Sequence, residues 1–207
     1  MQVSFSLRSS FWLLACACAL GCSSVLGIND ARCDPNLPAC QTSTNLCTSY
    51  CNQVMASCVG DLAQYTSLRN CEAVCSRLPA GAVGDDKVNT VQCRIKQAQL
   101  AADLSQPDKV IACPGAGPGG NGLCGGNCEG ACTIITESCT DNNLQYPDLG
   151  SCETECQGIT DQNTFNATMT SMSEGNTVQC RLWHASAAAE AAVPHCNHAA
   201  GASPCSD

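Results

Sequence analysis

Asn89-Thr90-Val91-Gln92-Cys93-Arg94 returns as Asn176-Thr177-Val178-Gln179-Cys180-Arg181, the same six residues in the same order. The cysteines around it repeat as well. From Cys47 the next four fall at steps of 4, 7, 13 and 4 residues (Cys51, Cys58, Cys71, Cys75), and from Cys128 the steps are the same (Cys132, Cys139, Cys152, Cys156). The hexamer supplies a sixth cysteine to each copy, and Cys113 with Cys124, or Cys196 with Cys205, closes it. The chain is a tandem repeat.

With 21 cysteines in 207 residues, the density is that of oxidised, exported chains and not of cytosolic ones. Three Phe, two Trp and three Tyr give each unit of about 80 residues too little apolar mass to be stable on its core alone. Disulfides fill that gap, each contributing roughly 2–4 kcal/mol in small exported domains. The net charge of −9 argues against a nucleic-acid partner, which requires clustered Lys and Arg. The charge is also lopsided. Residues 47–124 hold six acids and six bases, whereas residues 128–207 hold ten acids and one base, Arg181. No acidic cluster has the alternating spacing of a calcium loop, so the second unit reads as a solvated acidic surface.

Arg8 precedes an apolar run from Phe11 to Leu20, too short to span a bilayer and proportioned as a signal peptide. Ala19-Leu20-Gly21-Cys22-Ser23-Ser24 follows and resembles the bacterial lipobox, although Ala19 stands where Leu is usual and Leu20 where a small residue is usual. The resemblance implies acylation (palmitate-type chains) on Cys22, cleavage ahead of it, and a bilayer anchor, which two or more acyl chains make stable. Ser23 in place of Asp implies outer-membrane sorting. If Cys16 and Cys18 leave with the leader and Cys22 carries lipid, 21 − 3 = 18 cysteines remain, an even number that can pair completely. Leu13-Leu14-Ala15-Cys16 is the alternative lipobox, with a very short apolar run ahead of it.

The expected layout is a leader over 1–21, an acylated cysteine and tether over 22–46, and repeats over 47–124 and 125–207. Asp34-Pro35 and Leu37-Pro38 keep the tether extended, with Cys33–Cys40 as a local pair. Cys47, Cys51 and Cys58 lie within about 40° of one another on a helix. A second helix opens at Ser67, or at Asp148 in the other copy, both N-cap residues. It carries Cys71 and Cys75, or Cys152 and Cys156, and Leu78-Pro79-Ala80-Gly81 stops it. A third helix starts at an Asn89 cap and places Val91, Ile95, Ala98 and Ala102 on one face, matched by Val178, Leu182, Ala185 and Ala189. The fold class is therefore all-α: two tandem disulfide-stapled units of about three helices each, with long loops.

Two helices joined by a short turn run antiparallel. Counting the rise from a turn near residue 64 predicts Cys58–Cys71, Cys51–Cys75 and Cys47–Cys93. In the second unit it predicts Cys139–Cys152, Cys132–Cys156 and Cys128–Cys180. Cys113–Cys124 and Cys196–Cys205 then close terminal loops. The rival arrangement pairs Cys47 with Cys75, Cys51 with Cys71 and Cys58 with Cys93, and sequence alone leaves it open, since eight cysteines allow 105 pairings. Pro114-Gly115-Ala116-Gly117-Pro118-Gly119-Gly120 lacks the ending of a phosphate loop and reads as a hinge between the repeats.

The densest chemistry is in the histidines. His184, His195 and His198 all fall in the last segment of the second repeat, and they could ligate copper or zinc if the chain folds back on itself. Against that, Cys196 between two of them is expected in a disulfide. A helical histidine among disulfides resembles secreted phospholipase A2, but Ala185 stands where that family has Asp, and the match fails. Neither a haem-attachment nor a thioredoxin-type Cys-X-X-Cys motif is present in the sequence. Arg94 and Arg181 are expected to bond helix carbonyls or an acid such as Glu72 or Glu153. Gln64-Tyr65 and Gln145-Tyr146 should plug the gap between the first two helices, and Asn166-Ala167-Thr168 is a coincidental glycosylation triplet.

By its lipobox and its doubled cysteine frame, the chain resembles the cysteine-rich lipoproteins of bacterial envelopes, a likeness that carries no activity with it. The leading expectation is a non-enzymatic, membrane-tethered binding or structural module with an envelope or extracellular partner and no cofactor. A copper- or zinc-binding protein is the second reading. An envelope hydrolase is the third, because no nucleophile, base and orienting acid assemble with specificity.

Overall fold

The computed structural model describes residues 43–207. The expected leader, Cys22, Cys16 and the Cys33–Cys40 pair lie outside the described residues. Within them the fold is all-helical: α1 (Ser43–Ser57), α2 (Leu68–Cys75), α3 (Val91–Asp103) and α4 (Gln106–Ala116), then α5 (Asn127–Ser138), α6 (Leu149–Cys156), α7 (Val178–Ala188) and α8 (Ala192–Ala199). Among the described residues there is no strand, only an isolated bridge between Thr160 and Thr177. The second set of four repeats the first, down to a 3-10 turn after its leading helix (Gly60–Leu62 and Asp141–Asn143).

Local signals set most of the boundaries. Ser67 accepts a hydrogen bond from the Asn70 amide at 3.0 Å, and Asp148 accepts one from the Ser151 amide at 2.7 Å, each satisfying an otherwise orphaned helix donor. The third helix is capped one residue later than the sequence suggests. Thr90 and Thr177 are its N-caps, accepting from Cys93 and Cys180, while Asn89 is released to other work described below.

Each repeat has four helices rather than about three. The fourth was hidden by Pro114 and Gly115, which read as punctuation, yet Pro114 lies inside α4. Ala112, Cys113 and Ala116 of that helix are buried, and this packing outweighs a locally poor helical sequence.

Eight disulfides close the described body, all with Cα–Cα distances of 5.6–5.7 Å. Their pattern corrects the expected one and is the same in both repeats. Cys47–Cys75 and Cys51–Cys71 staple α1 to α2, and Cys128–Cys156 and Cys132–Cys152 staple α5 to α6. The expected Cys47–Cys93, Cys51–Cys75, Cys58–Cys71, Cys128–Cys180, Cys132–Cys156 and Cys139–Cys152 do not form. The error was one of register. The observed pairs are centred on Asp61 and Asn142, inside the 3-10 turns, about one helical turn earlier than the assumed reversal. That shift carries Cys58 past the end of α1, where it bonds Cys113 of α4, and Cys139 likewise bonds Cys196 of α8. Cys93–Cys124 and Cys180–Cys205 replace the expected Cys113–Cys124 and Cys196–Cys205. The rival arrangement was right about the two α1–α2 staples and wrong about Cys58.

Buried residues from both repeats form one continuous core in which cysteine and alanine alternate with a few large side chains. The glycine-rich stretch 114–120 is buried throughout. It is therefore a packed seam and not a hinge. Its small residues let backbones meet: a Cβ on Gly130 of α5 would lie 2.5 Å from the Pro118 carbonyl oxygen and 2.8 Å from Gly119 Cα. Gly130→Ala is expected to destabilise the oxidised protein by about 1–3 kcal/mol in denaturant unfolding, as overpacking does. Gly150→Ala, on an exposed helix with no contact closer than 3.6 Å, should be neutral or slightly stabilising. Equal effects would show that the seam is loose.

Candidate metal centre

The second repeat differs from the first by a longer connection. From Cys75 to Cys93 the chain takes 18 steps and from Cys156 to Cys180 it takes 24, six more. The longer connection reaches the first repeat, where Ala167 N–H donates to the Ala63 carbonyl at 2.8 Å and Gln64 Nε2 donates to the Phe165 carbonyl at 3.1 Å. It also forms a 3-10 turn, Thr170–Ser173, whose last carbonyl faces α7.

On α7, His184 is buried at 5% exposure. A three-residue connection turns the chain back into α8, and Cys139–Cys196 and Cys180–Cys205 pin the two helices in place. The fold-back that the sequence reading required is thus present. His184 Nδ1 lies 2.9 Å from His195 Nδ1, and His184 Nε2 lies 3.2 Å from the Ser173 carbonyl oxygen. The His184 ring centroid is 4.7 Å from that of His198 and 5.2 Å from that of His195. Trp183 packs edge-on against His184 at 4.8 Å. One potential ligand nitrogen from each of the three imidazoles falls within 4.8 Å of the others. His198 Nδ1 is buried and has no hydrogen-bond partner.

Burial favours the neutral forms of His184 and His195. Burial lowers the His184 pKa to about 4, helped by the nearby His198 and His195 and opposed by the Ser173 carbonyl. Burial, and then His198, also lowers His195. The sulfurs of Cys180 and Cys205 come within the same reach of His184, but they are bonded to each other, so the set offers nitrogen ligands alone. In the first repeat the equivalent positions are Gln97, Ala112 and Gly115, which fill the space without a ligand.

Sequence reasoning missed a cleft of about 230 Å³ between the repeats, lined by Asn70, Phe165, Trp183, Glu190 and His195 among others. Arg69 of the first repeat and Glu190 of the second form an ion pair of 3.3 Å there. Only the pairing of two distant copies creates this cleft, and no local motif announces it. A second cleft, of about 250 Å³, lies in the first repeat beside Leu46, Glu72 and Val91 and carries no cluster of ligating groups.

The remaining singled-out residues are structural. Arg94 is fully buried and bonds carbonyls, as expected. Arg181 pairs with Glu155 at 3.2 Å rather than with Glu153. Tyr65 is buried against Tyr50, their hydroxyls 2.7 Å apart, and Gln145 Nε2 donates to the Asn143 carbonyl. Asn166 is buried at 4% exposure, with its amide nitrogen on the Gly60 carbonyl and its oxygen taken by Thr168, so that triplet is a piece of the inter-repeat contact.

Residues 28–128 match the model of the BfoA family C-terminal domain. The match covers the first repeat and reaches the first cysteine of the second. No curated protein and no solved structure matches the chain. A helical body closed by eight disulfides belongs to an oxidising, extracytoplasmic compartment.

Because His184 is held neutral in the fold, with a pKa of about 4 against about 6.5 when unfolded, the unfolded chain takes up the proton first. The stabilisation is complete above about pH 6.5 and is lost as pH falls towards 4. Melting temperature is expected to fall over that window in the metal-free protein. His184→Gln, which copies Gln97 of the first repeat, should flatten the fall; an unchanged slope would mean that His184 is not the group responsible.

Proposed function

We propose that the mature chain is a non-enzymatic module of the bacterial envelope, anchored by acylated Cys22 and presenting a rigid two-repeat body to an envelope or extracellular partner. The observation that carries this reading is the complete pairing of the sixteen cysteines in the described body. Each sits in a bridge that joins two segments of the same repeat, and each is at most 8% exposed except Cys128. Sulfur here holds the fold, with no exposed thiol in the body to act as nucleophile or redox centre. The lipobox-like Ala19-Leu20-Gly21-Cys22 supports the anchor, and the parity of eighteen remaining cysteines agrees with it. Ser23 and Ser24 favour the outer membrane.

Stability without a large aromatic core suits a domain that works outside the cytoplasm, where chaperone help is scarce and oxidation is maintained. Helix α1 begins at Ser43, so about 20 residues separate Cys22 from the folded body.

Intact mass of the protein extracted from membranes is expected to show acyl chains on an amino-terminal Cys22 and no alkylatable thiol. Cys22→Ala should move the protein to the soluble fraction, whereas Cys16→Ala should leave it in the membrane. An unmodified mature amino terminus at any other residue would remove the anchor from this reading.

A further inference from the structure

We propose that His184, His195 and His198 form a binding site for one first-row transition-metal ion that prefers imidazole, copper or zinc. The inference goes beyond the tethered-module reading and does not depend on it. It stands on three features of the same cluster.

The first is convergence. One nitrogen from each ring already falls within 4.8 Å of the other two. An ion held at about 2.0–2.1 Å from each nitrogen needs them roughly 3.3–3.5 Å apart. The 2.9 Å His184–His195 pair must open slightly and the wider pairs must close, which side-chain rotation of the partly exposed His195 and His198 allows.

The second is orientation. His184 Nε2 faces the Ser173 carbonyl at 3.2 Å, so the proton belongs on Nε2, where it can be donated, and Nδ1 presents its lone pair to the cluster. A backbone carbonyl that fixes the tautomer of a ligand histidine is the usual outer-shell partner of a metal site. That carbonyl is carried by the longer connection found in the second repeat alone.

The third is the unpartnered nitrogen. His198 Nδ1 is buried with nothing to bond, an unfavourable condition unless something satisfies it. A metal ion at the centre of the cluster would do so. No carboxylate belongs to the set, so hard ions such as calcium and magnesium are excluded by donor type, while copper and zinc are favoured. Solvent or an outside ligand completes the coordination from the side where His195 and His198 are partly open. The first repeat, with Gln97, Ala112 and Gly115, cannot do the same, which fixes the stoichiometry at one.

The test uses the full mature protein, stripped with chelator and titrated separately with Zn(II), Cu(II) and, as a control for its acidic surface, Ca(II). Isothermal titration reads the stoichiometry. Trp183 reports on the site directly, because the other tryptophan, Trp12, lies within the expected leader. One Zn(II) or Cu(II) per chain, unaffected by excess Ca(II) and weakened at least about 100-fold in both His195→Ala and His198→Ala, is the expected result; that loss equals or exceeds what outer-shell changes produce. A change in Trp183 emission on binding is expected to vanish in the same variants. Both variants alter partly exposed side chains outside the core, and unchanged circular dichroism will show that they fold. Absence of one-to-one binding by either metal, or binding of equal strength in the two variants, overturns the proposal.

Discussion

The disulfides that tie each leading helix to the one after it set the register on which everything else depends. Cys47–Cys75 and Cys51–Cys71 fix α1 against α2 at two points one helical turn apart, so neither sliding nor rotation is possible without breaking sulfur bonds. Once that register is set, Cys58 emerges beyond the end of α1 and can meet only a later helix. The same geometry in the second repeat delivers Cys139 to α8. Each leading helix is thereby bonded at one end to its neighbour and at the other to the last helix of its repeat. Such closure stabilises chiefly by restricting the unfolded chain.

A buried arginine braces the first repeat's side of the seam between the two stapled units. Arg94 donates from Nε to the Gly117 carbonyl at 2.9 Å, and from Nη2 to the Pro118 carbonyl at 2.8 Å and Asn89 Oδ1 at 2.8 Å. The two carbonyls follow the end of α4, so the guanidinium sits at the negative pole of that helix. Tyr50 bonds the Ala116 carbonyl just before them. Burial lowers the Arg94 pKa, opposed by Tyr50, Tyr65 and Glu129, but the group keeps its charge because these acceptors replace water. Asn89, held by Arg94, donates onward to Thr133 of α5 at 2.9 Å. In the second repeat Val178, Gln179 and Cys180 of the same hexamer are again fully buried, but Arg181, 8% exposed, meets Glu155 and Asn176 instead of helix-end carbonyls.

The sequence disclosed what periodic features can disclose. The cysteine ladder revealed the repeat, the caps at Ser67 and Asp148 marked helix starts, and the poverty in aromatics pointed to covalent stabilisation. What stayed illegible depended on contacts between distant segments. The reversal after α1 was misplaced by about a turn because a 3-10 turn and an extended stretch occupy the connection, and every pairing derived from it moved in consequence. The helix containing Pro114 was hidden because its burial outweighs its propensity. The seven residues from Pro114 to Gly120 looked like a flexible joint because glycine serves both free chain and tightly apposed backbones, and only neighbours such as Gly130 and Leu182 distinguish the two. The three histidines were visible as a cluster in sequence, but their convergence rests on the longer connection of the second repeat and on the fold-back of α8.

Fold and histidine cluster both depend on a covalent frame that is identical in the two copies. Peptide mapping of the unreduced protein by mass spectrometry, after digestion at a pH too low for thiol exchange, tests it most directly. Linked peptides should join Cys58 to Cys113 and Cys139 to Cys196, the connections that carry each leading helix to the last helix of its repeat. Peptides joining Cys58 to Cys71 or Cys139 to Cys152, or different pairings in the two repeats, would contradict the frame and with it the placement of the seam and of the histidine cluster.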